Sequence, residues 1–190
     1  MKTELPRRVS MLMIGSAVLA LLMTAAGVLA WLHLDEAAAA YPRVLLAPGE
    51  KGEDVPRQIG LALRYDVAAA AVLTAVAVYL ARALRKPFPW VRAATWAVVG
   101  VAWVVLACGL AAPPEQPAWR DENVPVPVDQ ARADLLAGWY PSVHSILVFA
   151  TLAVLTTVAV FLLREPAREF YRKTSGATAT DWSAFGPDRG

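Results

Sequence analysis

Two histidines, His33 and His144, make up the whole imidazole inventory of this chain, and one lies in the run Trp-Tyr-Pro-Ser-Val-His-Ser, residues 139–145. A serine hydroxyl and an imidazole two residues apart are groups that bind or protonate phosphoryl oxygens. Placed where a helix begins, they also stand beside free backbone N–H groups that attract an anion. His33 and His144 on neighbouring helices would be a second arrangement, suited to a metal ion or to the two axial positions of a haem. Haem-binding histidines of that kind sit within helices, shielded from water, whereas both histidines here fall at expected helix ends. The reading is therefore no catalytic residue, no cofactor and no metal, with Ser142 and His144 as a candidate anion or partner contact.

Pro-Ser-Val-His, residues 141–144, is similar to the second of three motifs of the type-2 phosphatidic acid phosphatase family, Pro-Ser-Gly-His, with Val143 in the glycine position. The resemblance implies phosphate binding by Ser142 and protonation of a leaving group by His144. The chain departs from the rest of that pattern. It holds no Arg-Pro dipeptide, no Ser-Arg pair and no histidine after His144, so the first and third motifs are absent. Without the third motif's histidine the covalent phosphohistidine route has no nucleophile. Val143 also denies the close backbone approach that glycine permits. The similarity covers four residues of 190, and the expectation is a protein that is not an enzyme.

The elements that must position these residues follow from composition. Hydrophobic residues make up 57% of the chain and mean hydropathy is +0.45, too apolar for a soluble domain of this length. The net charge of +2 points to no nucleic-acid partner. A single cysteine, Cys108, excludes an internal disulfide, a Cys-x-x-Cys redox pair and a thiolate metal cage. Four apolar runs with their polar flanks predict transmembrane helices at about 10–32, 65–84, 91–112 and 142–163, each near the ~20 residues that cross the hydrocarbon core. The first run is too long for a signal peptide, whose apolar core is about 7–15 residues. The fold class expected is an all-α membrane protein, a four-helix up-down bundle spanning 1–173, with a disordered cytoplasmic tail over 174–190.

Basic residues set the orientation. Lys2, Arg7 and Arg8, then Arg82, Arg85, Lys86 and Arg92, then Arg164, Arg168, Arg172 and Lys173 all fall on one side. The positive-inside rule makes that side cytoplasmic, giving both termini inside and outer loops at about 33–64 and 113–141. Trp31, Trp90, Trp139 and Tyr140 at predicted helix ends suit the headgroup layer. Trp96 and Trp103, seven residues apart, share one face of the third helix.

The first outer loop, punctuated by Pro42, Pro48, Gly49, Gly52 and Pro56, is expected to be extended or turn-rich. In the second, five prolines between 113 and 127 favour polyproline II. A short amphipathic helix capped by Asp129 is then expected to lie on the membrane surface through Leu135, Leu136 and Trp139. No ionisable group falls mid-helix, and the polar groups there are chiefly Thr24, Thr74, Thr95, Thr151, Thr156 and Thr157. The functional expectation is a non-enzymatic accessory, scaffold or interaction protein of a bacterial plasma membrane. Its partners would be the lipid bilayer and a membrane-protein partner or a second copy. Alternatives are a small oligomeric transporter or channel subunit, or a membrane enzyme or cofactor binder using His33 and His144.

Overall fold

The computed structural model describes residues 4–40, 55–86, 88–111, 134–164, 167, 170 and 171. The tail at 174–190, the centre of the first loop and most of the second lie outside them. Four long helices account for nearly all the described chain: α1 (Glu4–Ala40), α2 (Val55–Ala83), α3 (Pro89–Ala111) and α4 (Tyr140–Leu163). Each is long and apolar enough to cross a membrane.

Every helix carries a proline in its first turn, namely Pro6, Pro56, Pro89 and Pro141. There the missing N–H would have had no intrahelical partner, and the fixed φ suits the helix. α4 stops at Arg164, whose backbone is extended, with its N–H closing on Phe161 O. α3 and α4 begin and end within two residues of expectation. α1 and α2 do not. α1 starts six residues early and continues to Ala40, and α2 starts at Val55 rather than 65. The expected turn-rich loop at 33–64 is thus helical at both ends. His33-Leu-Asp-Glu-Ala-Ala-Ala-Ala leaves the apolar run but contains no glycine or proline, and alanine is the best helix former. At 1.5 Å per residue α1 is about 55 Å long and α2 about 44 Å, against ~30 Å of hydrocarbon.

α1 is the central element, packed along α2 and α4, while α3 packs on α4 and more lightly on α2. Ser10 meets Ala81, Gly27 meets Val67, and Leu34 clusters with Ile59 and Leu63, so α1 and α2 run antiparallel. Gly27 is required by that crossing. A Cβ there would stand 2.6 Å from Val67 Cγ2.

Two cores result. The larger joins all four helices through small and aliphatic residues, among them Met13, Ala20, Leu73, Ala77, Val99, Leu155 and Val158. The smaller forms a headpiece where α1 ends and α2 begins: Ala30, Leu34, Ile59 and Leu63 are closed over by Leu135, Leu136 and Tyr140. Leu135 and Leu136 are buried against α1 and α2, so they do not form the exposed apolar face expected of this part of the second loop. The helix starting at Asp129 falls outside the described residues except for Asp134 and Leu135.

The opposite end is clasped by polar bonds. Ser10 Oγ donates to Ala81 O at 2.7 Å and accepts from Arg85 Nε at 3.1 Å. Tyr171, beyond α4, donates its hydroxyl to Leu84 O at 2.8 Å. Tyr79, Phe88 and Trp90 stack across the α2–α3 turn. Around the bundle, Leu21, Leu22, Val72, Val104, Ile146 and Phe149 are exposed, an apolar girdle far more extensive than a water-soluble monomer presents.

Candidate functional site

Proline at the second position starts α4, and one turn later the helix delivers His144 into the bundle. Tyr140 and His144 are four residues apart, hence on one face. Their rings stack with centroids 5.3 Å apart, and Trp139 meets Tyr140 edge-on at 6.0 Å. Both Tyr140 and His144 are buried. Tyr140 belongs to the headpiece core, so the imidazole sits at the floor of that core.

Asp66 approaches the imidazole from α2. Its Oδ2 is 4.0 Å from His144 Nε2, within ion-pair range but beyond a hydrogen bond. Its Oδ1 lies 3.9 Å from the point where a Cβ would stand on Gly109 of α3. The carboxylate therefore occupies the junction of α2, α3 and α4, with the Asp66 side chain 29% exposed and that of His144 9%. The contact is electrostatic, and the exposed part of the carboxylate can accept a further hydrogen bond.

The structure does not bring Ser142 and His144 to one place. Residues two apart on a helix face opposite ways, and Ser142 is exposed while His144 is buried. The geometry implied by the phosphatase resemblance, with both groups on one phosphate, is absent from this helix. His33 is exposed on the extension of α1, next to Leu34 of the headpiece core but turned away from it. Among the described residues no group of three metal-binding side chains converges. Asp66, just inside the second expected helix at 65–84, carried no role in the sequence reading. Its signal was its position, since it follows Ile59 and Leu63 at helical spacing and leads directly into an apolar run.

The mid-helix hydroxyls are each committed locally. Thr24, Thr74, Thr95, Thr151, Thr156 and Thr157 donate to the carbonyl four residues before them at 2.7–3.0 Å. Thr156 also accepts from Trp103 Nε1 at 3.1 Å, pinning α3 to α4. Trp103 thus contributes a helix contact. At the headpiece, Arg64 stacks its guanidinium over Trp31 at 5.0 Å.

No protein-family model, no curated protein and no solved structure matches this chain.

Proposed function

We propose that the chain is a multi-pass protein of the bacterial plasma membrane, with both termini cytoplasmic, and that it serves as a non-enzymatic accessory or scaffold acting through its headpiece. The observation that carries this reading is the second core. α1 and α2 continue as helices past the length a bilayer needs, and Leu135, Leu136 and Tyr140 close over their ends. A fixed platform is what a docking surface requires, because ordering costs are met on folding and not on binding. Its rim is polar and mixed in sign, with Asp35, Glu36, Arg57 and Gln58 exposed. The apolar girdle and the basic clasp at the other end support the membrane placement and the orientation.

A small transporter or channel would need polar groups gathered on a lumen. The threonine hydroxyls bonded back to their own helices count against it. A cofactor binder using His33 and His144 would need the two imidazoles to converge, and their opposite burial speaks against that.

Affinity purification of the full chain from native membranes in mild detergent tests the proposal. A stoichiometric partner is expected, lost in an Asp35→Lys, Arg57→Glu variant whose membrane level is unchanged. Recovery of the chain with no partner, or with a partner indifferent to that variant, would overturn the accessory reading.

A further inference from the structure

An apolar slot of about 510 Å³ lies between α2 and α3, the neighbouring helices that touch least. Val72, Val76, Val98, Val101 and Leu106 line it, and Tyr65 stands at one end. It runs from Tyr65 to Val76 on α2 and from Ala97 to Leu106 on α3, lengths of about 16 Å and about 14 Å. Half of a ~30 Å hydrocarbon core is one leaflet. On α3 the slot extends about three residues past the helix midpoint toward the termini and about six toward the headpiece, so it lies mainly in the headpiece-side leaflet.

The end nearest the headpiece is polar. Gly109 lies three residues past Leu106 and four past Val105, so it continues the α3 wall of the slot. Against it rests the Asp66 carboxylate, next to Tyr65 in the chain and 4.0 Å from His144. A site with one apolar arm of about leaflet length and a partly exposed carboxylate beside its mouth matches the shape and polarity of a lipid.

We propose that the slot holds one acyl chain of a phospholipid from the headpiece-side leaflet, with an ammonium-bearing headgroup seated on Asp66 beside His144. A partner helix fits the observations less well. It is about 10–12 Å across with its side chains and would run the full depth of the core, whereas the slot covers half of it. A primary ammonium gives Asp66 charge-assisted hydrogen bonds, and trimethylation removes every donor from it.

The inference rests on the membrane reading above, and fractionation of the same preparations with the membranes tests that reading separately. The purified full chain, stripped of lipid, would be offered dioleoyl phosphatidylethanolamine or dioleoyl phosphatidylcholine and weighed intact by native mass spectrometry. One phosphatidylethanolamine per chain is expected, retained about tenfold better than the choline lipid. Val101→Trp fills the slot and should abolish retention, while Val104→Trp, outside the lining, should not. These residues are 63% and 64% exposed, so neither change disturbs the core. Asp66→Asn should keep the chain site and lose the headgroup preference. Equal retention by the two tryptophan variants, an equal response to both headgroups, or displacement of a polypeptide by Val101→Trp would overturn the proposal.

Discussion

The α1–α2 crossing at Gly27 offers a perturbation whose sign reverses with its neighbour. A Cβ at position 27 would stand 2.6 Å from Val67 Cγ2 and 3.9 Å from Val67 Cβ. Carbon atoms rest about 3.5–4.0 Å apart, so one methyl group is about 1 Å too close and the rest of the valine is not. Val67 has little freedom to yield, because a β-branched side chain in a helix keeps essentially one χ1 rotamer. Forcing it off that rotamer costs about 0.5–1.5 kcal/mol, and overpacking of this kind costs about 1–3 kcal/mol in all. Replacing glycine by alanine within a helix returns up to about 1 kcal/mol. Gly27→Ala is thus expected to destabilise the chain by up to about 2 kcal/mol. In a Val67→Ala background the clash vanishes and the same substitution should become stabilising. The assay is thermal survival of the folded chain in detergent, read by size-exclusion chromatography for the four members of the cycle. A Gly27→Ala effect equal in both backgrounds would show that the helices do not meet at this point.

Three further outcomes follow from the two ends of the bundle. Tyr171→Phe removes a bond to the buried Leu84 carbonyl and should cost about 1 kcal/mol at neutral pH. Burial pushes the Tyr171 hydroxyl up to about 12, above the ~10 of an unfolded tyrosine. The stability linked to its proton is therefore complete below pH 10 and lost as pH rises from 10 through 12; an alkaline unfolding titration should show that loss in the wild type and a shallower one in Tyr171→Phe. Ser10→Ala deprives Arg85 of its acceptor and severs the link to Ala81. It should lower thermal survival by about 1 kcal/mol, with Ser10→Thr restoring most of it. Leu135→Ala hollows the headpiece core and should cost about 2–5 kcal/mol, seen as tryptic cleavage at Arg57 and Arg64 with the rest of the bundle intact.

Hydropathy located the apolar centres of all four helices, and for α3 and α4 it also located the ends. Those two stop where the apolar run stops, at Ala111 and Leu163, because proline or an extended Arg164 follows. It failed at Ala40 and Val55 because leaving lipid does not oblige a helix to stop. The alanines at 37–40 and the spacing of Ile59 and Leu63 carry helical information that a transfer scale does not weigh. First-turn prolines would have marked the starts, since Pro6 and Pro56 sit early in α1 and α2 as Pro89 and Pro141 do in α3 and α4. The candidate site was half legible. His144 stood out by its rarity. Its companion did not, because Asp66 is one of 16 acidic residues and lies far away in the chain. Only its approach to His144 across the bundle distinguishes it from Asp35, which remains at the surface. The slot was not legible at all, since it depends on how little α2 and α3 touch.

The roles of the headpiece and the lipid slot depend on α1 and α2 emerging from the bilayer at their Ala40 and Val55 ends, opposite the termini. The native cysteine makes the direct measurement simple. In a Cys108→Ala background, single cysteines at Asp35→Cys, Gln58→Cys or Lys86→Cys would be exposed to a membrane-impermeant maleimide in intact spheroplasts; all three parent residues are exposed. Labelling at positions 35 and 58, with position 86 reacting only after permeabilisation, is the expected result. Labelling at 86 in intact spheroplasts with 35 and 58 protected would contradict the account.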